Sequence, residues 1–255
     1  SVDLDAAGGE LYTGVIKKSS TDEAGTYRIK KVTVTDHMGN SETYNGGDGP
    51  FASDVLFVIS CKGRFIIMEL FDIRTPDGEP TGQVKERSAV HRDGDWHGTA
   101  HIWLVRRQNG RLQVLLQKRS REKETFPGCF DTSCAGHLSA GDSFGEGARQ
   151  ELSEELGIQA EEPDLFYVGL YSYEVNENFG GTDIIDREIA AVYLYLKPVE
   201  VSELCLQKEE VEAVRWMDFE ELKARSEAGD PAFCIFAWEI GALEDGFRLA
   251  GLTEC

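Results

Sequence analysis

The apolar residues of this chain lie mainly in short runs rich in β-branched and aromatic side chains, a pattern typical of β-strands. The most hydrophobic run, IAAVYLYL from Ile189, predicts a buried strand. It is far shorter than the roughly 20 apolar residues that a membrane helix needs, so we expect no membrane span. This run belongs to a longer predicted strand, REIAAVYLYLKPV, and one further stretch, DLFYVGLYSYEV, predicts another strand in the second half of the chain.

Turn and cap residues divide these runs into elements. Asn109-Gly110 separates HIWLVRR from GRLQVLLQKRS and predicts a tight hairpin. The residues from Ser143 to Leu156 predict a helix that ends at Gly157. The stretch VEAVRWMDFEELKARSEAG predicts a strand that leads into a helix, with Asp218 as its N-cap. Because strands and helices alternate irregularly, we predict an α/β (α+β) fold with a mixed sheet flanked by helices.

The first part of the chain contains strand and turn signals but no recognisable chemistry. TYRIKKVTVTD and SETY flank a predicted turn at residues 38–40, and DVLFVIS and RFIIMELFDI flank another at residues 61–63. We predict that residues 1–66 form a β-rich accessory segment that extends a sheet or mediates dimerisation. Residues 67–255 are then expected to form the main domain.

Acidic residues outnumber basic ones by 46 to 26, which gives a formal net charge of −20. Such a chain repels phosphate backbones, so general nucleic-acid binding is not expected, and a phosphorylated substrate needs a cation between itself and the protein. The six cysteines are scattered and form no CxxC pair, which favours a reducing, cytoplasmic compartment. The acidic start, SVDLDAAGGE, lacks the features of a secretory signal.

Three glutamates of the predicted helix, Glu151, Glu154 and Glu155, fall within roughly a third of its circumference, because each residue advances by about 100°. Like charges at this spacing weaken a helix, so their clustering suggests a bound cation. Carboxylate ligands suit Mg²⁺ or Mn²⁺, which share their remaining positions with water and substrate phosphates. The alternative is a solvated acidic helix face.

The residues around this helix resemble the signature of the Nudix family. Gly136 is followed after five residues by Asp142, and after eight more by ELSEELGI, residues 151–158. Asp142 stands where the family has Glu, and Gln150 stands where it has Arg, with Arg149 beside it. The resemblance runs from about residue 68 to about residue 224 through HRDGDWHGTAHIWL and LLQKRSREKETFPGCFDTSCAGH, and is similar to the subgroup related to type I isopentenyl-diphosphate isomerases.

This resemblance implies a mixed sheet sandwiched between helices and a hydrolase that cleaves a diphosphate linkage in a small nucleoside-diphosphate-type substrate. Glu151, Glu154 and Glu155 are then expected to bind Mg²⁺ or Mn²⁺, with Glu155 also in the catalytic set. Glu188 is the expected general base, and its alternative role is a charged strand end. Substrate binding is expected of Arg119 and of His137, which otherwise reads as a locally hydrogen-bonded loop residue; a homodimer is one option for the assembly.

Two other functions stay open. The isomerases have a second metal site built from His and Glu, and five residues fall near its positions: His91, His97, His137, Asp186 and Glu188. Their catalytic cysteine directly precedes the first glycine of the signature, where this chain has Ala135; Cys134, one residue earlier, is expected to face the core. We expect His101 to have a packing role. The third option, left open by Asp142 and Gln150, is a module that binds a diphosphate without turnover.

Overall fold

The structure is a computed structural model that describes residues 69–123, 125–179 and 182–252, together with six short strands before residue 69. The chain divides into two compact units, Ser1–Leu70 and Phe71–Cys255. The six early strands form three separate antiparallel pairs: β1 (Asp5–Ala6) with β2 (Tyr12–Thr13), β3 (Lys31–Thr35) with β4 (Ser41–Asn45), and β5 (Leu56–Ile59) with β6 (Phe65–Met68). The second and third pairs coincide with the two predicted strand pairs, whereas the predicted turns at 38–40 and 61–63 lie outside the described residues.

The remaining strands and helices follow in a mixed order, as the sequence predicts. They are β7 (Leu70–Arg74), β8 (Pro80–Glu86), α1 (Arg87–Asp93), β9 (Trp96–Gln108), β10 (Arg111–Arg119), β11 (Phe130–Asp131), β12 (Cys134–His137), α2 (Phe144–Leu156), β13 (Leu165–Phe179), β14 (Thr182–Tyr195), β15 (Val211–Asp218), α3 (Phe219–Glu227) and α4 (Ala237–Leu249). None of the helices in the described part of the chain has the length and apolar character needed to cross a membrane.

Strands β7 to β15 form one mixed sheet. Its main order is β11-β10-β9-β14-β13, with β12 and β7 also paired to β9, β15 paired to β10, and β8 paired to β7. Strands β9 and β14 run parallel, whereas β9 pairs antiparallel with β10 and β12. The predicted mixed sheet is therefore confirmed.

The two faces of this sheet pack against different helices. On one face Ile102 of β9 belongs to the same buried cluster as Leu152 of α2. On the other face Trp103 of β9 shares a cluster with Leu222 of α3 and Leu243 of α4. Because neighbouring residues of a strand point to opposite faces, the sheet lies between α2 on one side and α3 with α4 on the other. The same alternation decides which face each functional side chain reaches.

Local signals in the sequence explain several element boundaries. Asn109 and Gly110 both have positive φ, 51° and 80°, as a two-residue hairpin turn requires, and they join the antiparallel pair β9–β10. Helix α2 begins after Ser143, whose side chain and that of Glu146 form a reciprocal capping box, and ends at Gly157, with φ 73°. These predicted boundaries are confirmed.

Other elements differ from the expectation. Helix α3 has Asp218 at its N-cap position, as predicted, but the Asp218 carboxylate accepts hydrogen bonds from Arg111 and Gln113 and makes no cap bond to the helix. Strand β8 occupies a stretch that the sequence indicates only as turn-rich. Helices α1 and α4 carry no prediction at all. Both the β8–α1 segment and α4 contribute to the site described next.

Candidate functional site

Helix α2 carries the three predicted carboxylates, but they lie in different environments. Glu154 is exposed, and its Oε1 accepts a hydrogen bond from Gln150 Nε2 at 3.0 Å. Glu155 is buried, and its Oε2 accepts one from Gln117 Nε2 at 3.4 Å. Glu151 is half-buried and lies over the backbone of Gly136, where an added Cβ would stand 2.2 Å from the Glu151 Cδ. The three glutamates predicted to share one face therefore differ in environment: Glu154 faces solvent, Glu151 lies against the sheet, and Glu155 is in the core.

One of the two departures from the family signature, Gln150, has a visible consequence. Gln150, in place of the family arginine, donates to Glu154, so a neutral amide holds this carboxylate. Arg149 lies near Tyr193 of β14 instead. The arginine beside the expected position thus lies close to the sheet, while Gln150 contacts Glu154.

Cys134 lies on the same face of the sheet as α2. Its side chain is fully buried in the α2 cluster, so the prediction that this thiol faces the core is confirmed. Burial, together with the neighbouring Glu155 carboxylate, raises the pKa of Cys134 well above its usual value. Burial also raises the pKa of Glu155, to about 7. A thiol in this position is a poor proton donor to any molecule on the opposite face of the strand.

A second cluster lies on that opposite face. His91 of α1, His97 of β9, His137 of β12 and Asp186 of β14 each place one ligand atom within 4.8 Å of the others. Asp186 Oδ1 is 3.4 Å from His97 Nε2 and 3.7 Å from His91 Nε2. Within the described part of the chain, these four atoms are buried and make no hydrogen bond. Buried polar atoms normally have partners, so three convergent imidazole nitrogens and one carboxylate oxygen fit the ligand set of a metal ion.

Strand pairing explains how distant residues meet in this cluster. Glu188 of β14 pairs with His97 of β9 in parallel register, and Asp186 lies two residues before Glu188, on the same face. His137 pairs with Thr99 of β9. His97 Nδ1 donates to the Asp95 carbonyl at 3.0 Å, which leaves Nε2 as the unprotonated nitrogen that a metal requires.

The charge states of the cluster also suit a metal. Burial, followed by the neighbouring His97 and Arg87, lowers the pKa of His91 to about 4. Burial likewise lowers the pKa values of His97 and His137. The pKa of Asp186 is raised to about 8 by burial and by the adjacent Glu188. At neutral pH the three imidazoles are thus neutral, and metal binding would displace a proton from Asp186.

Glu188 is held by a buried polar network. Tyr173 Oη donates to Glu188 Oε2, while His137 Nε2 lies 3.6 Å from Oε1. His101 Nε2 lies 3.7 Å from Glu188 Oε2, and His101 Nδ1 is 3.2 Å from Glu239 Oε1 of α4. Although burial favours the neutral form, its bonds to these two carboxylates raise the pKa of His101 to about 10. The packing role expected of His101 is therefore corrected: its imidazole lies between two buried carboxylates, those of Glu188 and Glu239.

The network also sets the charge of Glu188. Burial alone would raise the pKa of this carboxyl, but the neighbouring His101, followed by His137 and His97, holds it well below its usual value. A carboxylate that is stabilised in this way is a weak base. Its contacts with Tyr173 and His137 place Glu188 beside the histidine cluster, where a carboxylate can serve as a further metal ligand.

Arg119 lies on the α2 side of the molecule. Its guanidinium donates to Asp131 at 2.7 Å and to the Thr125 carbonyl at 2.9 Å and 3.1 Å, and its charge acts on the nearby Glu155. The structure therefore brings Arg119 towards the helix carboxylates, on the opposite face of the sheet from the histidines. Its side chain fixes the loop that precedes β11.

Two members of the site, Tyr173 and Glu239, carry no site prediction from the sequence. Glu239 meets His101 across 138 residues and Tyr173 meets Glu188 across 15, so no local spacing connects them. The available signal is the placement of Tyr173 on β13, which pairs with β14 opposite Glu188.

Comparison with known proteins identifies similar chains. A family model described as NUDIX domain matches residues 95–238. The chain is 40% identical over 184 residues to Nudix hydrolase 3 of Arabidopsis thaliana, covering 71% of this chain but 23% of the plant protein, so it spans about a quarter of that relative's length. It is 37% identical over 154 residues to an uncharacterized Nudix hydrolase of Clostridium acetobutylicum, covering 60% of this chain and 72% of that one.

A more distant relative and a solved structure are also similar to this chain. An isopentenyl-diphosphate Delta-isomerase of Escherichia coli is 28% identical over 141 residues, covering 55% of this chain and 72% of the isomerase. The crystal structure of DR0079 from Deinococcus radiodurans superposes with a TM-score of 0.47 and 21% identity, covering 63% of this chain and 90% of that one. The resemblance read from the sequence, with its isomerase-like relatives, is confirmed.

Proposed function

The chain belongs to the Nudix family of hydrolases, and from this membership we propose that it is a divalent-metal-dependent enzyme that cleaves a diphosphate linkage in a nucleoside-diphosphate-type substrate. The observation that carries the proposal is the position of Glu151 over Gly136. The first glycine and the first helix glutamate of the signature meet there in space, and a Cβ at residue 136 would displace the Glu151 carboxylate. We therefore propose that the diphosphate is cleaved beside Glu151, where the residues of the family signature meet.

In this proposal Glu151, Glu154 and Glu155 hold Mg²⁺ or Mn²⁺. When bound, the metal supplies Lewis-acid chemistry and neutralises the diphosphate. Glu154 is exposed and offers a carboxylate oxygen to solvent. Glu155 is buried and is held by a hydrogen bond from the Gln117 side chain. Arg119, with its charge near Glu155, remains the proposed contact for substrate phosphate.

We place a second metal at His91, His97, His137 and Asp186, with Glu188 beside it. Three imidazole nitrogens and a carboxylate suit Zn²⁺, Mn²⁺ or Fe²⁺ better than Mg²⁺, which prefers oxygen ligands. The anionic, tightly held Glu188 supports the ligand role over the role of general base. His137, whose Nε2 points into this cluster, is likewise favoured as a ligand over a substrate contact.

The organisation of the whole chain is part of the same proposal. Residues 67–255 form the catalytic domain, and residues 1–66 an accessory segment that extends a sheet or supports a homodimer. A reducing, cytoplasmic compartment is supported by the four free thiols of the described residues, at Cys129, Cys134, Cys205 and Cys234.

The proposal is tested by ³¹P NMR of reaction mixtures that contain dinucleoside polyphosphates, nucleotide sugars or dinucleotide cofactors, each with Mg²⁺, Mn²⁺ or chelator. We expect the diphosphate resonances of at least one substrate to be replaced by monophosphate ester resonances in the presence of metal. Intact spectra throughout, from folded and metal-loaded protein, would contradict the hydrolase and support the binding module.

The second candidate is an isomerase, because the histidine cluster lies near the positions of the isomerase metal site. The residue beside that cluster is Ala135, which pairs with His101, whereas Cys134 pairs with Ile102 and faces α2. We therefore predict that isopentenyl diphosphate is not converted to its allylic isomer. Allylic product above background in ¹H NMR, lost in a Cys134→Ser variant, would reverse the ranking of the two functions.

A further inference from the structure

We infer that Phe71 is a positioning residue of the histidine metal site, whose ring fixes the planes of His97 and His137. The inference rests on the proposed second metal and goes beyond its ligands. Phe71 is fully buried, and it belongs to β7, which pairs with β9 only at Ile73 and His97. Strand β7 therefore joins β9 at His97, which is one of the proposed metal ligands.

Ring geometry shows how Phe71 meets the imidazoles. Its centroid is 5.2 Å from that of His97 with an interplanar angle of 10°, and 4.7 Å from that of His137 with an angle of 11°. The two imidazoles are themselves 5.1 Å apart and 19° from parallel. The ring of His91 lies farther from Phe71, at 6.2 Å and 56°. One phenyl ring therefore stacks on two of the three imidazoles, and the planes of the phenyl ring and these two imidazoles are nearly parallel.

Such a ring has two physical effects on a metal site. An imidazole binds a metal through a lone pair in its own plane, so the angle of the ring determines where that lone pair points. The His97 ring is fixed by the Nδ1 bond to Asp95 and also by Phe71. In addition, a phenyl ring offers no hydrogen-bond partner, so it cannot satisfy the Nε2 atoms that the metal needs. Phe71 thus orients these nitrogens without competing for them.

Phe71 lies before the part of the chain that the family model matches. The family model matches residues 95–238, so Phe71 and the ligand His91 both precede it. Strand β7 and helix α1 therefore each supply a residue to the metal site, through Phe71 and His91. The sequence of β7, LFDIR, alternates in burial and places Phe71 and Ile73 inside.

The test compares full-length Phe71→Leu and Phe71→Met with Val90→Ala and His91→Ala. Val90 is a matched control, because it is fully buried in the same small cluster as Phe71 but stacks on no imidazole in the described residues. The probe is Co²⁺, whose visible spectrum reports the ligand set, with the affinity measured by titration. The His91→Ala difference spectrum identifies the signal of this site, so that binding to the α2 carboxylates is separated from it.

We expect Phe71→Leu and Phe71→Met to weaken Co²⁺ binding at this site by about tenfold or more and to change its spectrum, as loss of a supporting contact to a ligand does. Val90→Ala should lower the melting temperature but keep affinity and spectrum within twofold of the wild type. Wild-type affinity and spectrum in both Phe71 variants, or an equal loss in Val90→Ala, would overturn the inference. A wild type that shows no His91-dependent Co²⁺ signal would instead remove the second metal itself.

Discussion

At several positions of the site, the neighbouring groups determine which side chain can be present and how it is held. Gly136 has no side chain because the Glu151 carboxylate occupies that space, and Glu155 is held between Gln117 and the thiol of Cys134. The Gly-to-Glu spacing of the signature could be read from the sequence, since it joins two local segments. The polar role of His101 could not be read in this way, because its partner Glu239 follows 138 residues later.

The first prediction concerns Gly136→Ala. The new Cβ would stand 2.2 Å from the Glu151 Cδ, so the carboxylate must move aside. A displacement of this kind at a catalytic centre costs roughly a hundredfold in turnover, which initial rates of diphosphate cleavage would show.

Gly145→Ala is the matched control for this change. Gly145 lies in the first turn of α2, and its added Cβ would meet only the Tyr193 hydroxyl, at 4.0 Å. Alanine there should stabilise the helix by up to about 1 kcal/mol and leave turnover unchanged. Equal activity of the two variants would show that Glu151 does not need its place over residue 136.

At the scale of elements, those with local signals could be predicted and those stabilised by tertiary contacts could not. The hairpin at Asn109-Gly110 and helix α2 have turn or cap residues at their ends, which act within a few residues. Strand β8 is exposed over most of its length and lacks the alternation that marks a half-buried strand. Helix α4 begins at residue 237 without a Ser, Thr, Asp or Asn cap, and its buried residues pack against the sheet.

A second prediction follows from the capping box of α2. In Ser143→Ala the N–H of Glu146 loses its side-chain acceptor, and the helix that carries the three glutamates is destabilised by about 1 kcal/mol. Urea unfolding would measure this change. The exposed Ser172 of β13 serves as the control, since its replacement by Ala removes no cap; a loss as large there would argue against the capping contribution.

At the scale of the whole molecule, the two groups of candidate ligands lie on opposite faces of the sheet. The carboxylates of α2 pack on the face of Ile102 and Cys134, and the histidines lie on the face of Trp103 and α4. This arrangement follows from strand alternation and register, which the sequence does not specify between distant strands. A chain with a net charge of −20 must in addition use a cation to bind a diphosphate.

A third prediction follows from this charge. Inorganic pyrophosphate with Mg²⁺ should raise the melting temperature, because a ligand that binds the folded state at about 100 times its Kd adds about 2.7 kcal/mol. Pyrophosphate with chelator should have no such effect, since no cation then separates it from the carboxylates. Equal stabilisation in the two samples, followed by differential scanning fluorimetry, would contradict binding through metal.

The central claim is that the α2 carboxylates hold the metal that hydrolysis requires, and Glu154→Gln tests it most directly. Glu154 is exposed, and glutamine keeps the size and shape of its side chain, so the variant should keep the wild-type fold and melting temperature. Glu220→Gln, at an exposed position in α3, is the control for loss of one negative charge.

The measurement is the initial rate of phosphate or nucleotide release from the same set of diphosphates by the wild type and both variants, with Mg²⁺, with Mn²⁺ and with chelator. We expect metal-dependent release by the wild type and by Glu220→Gln, and a rate about a hundredfold lower or less in Glu154→Gln. Full activity of Glu154→Gln, or release by the wild type that is unchanged by chelator, would contradict the metal assignment.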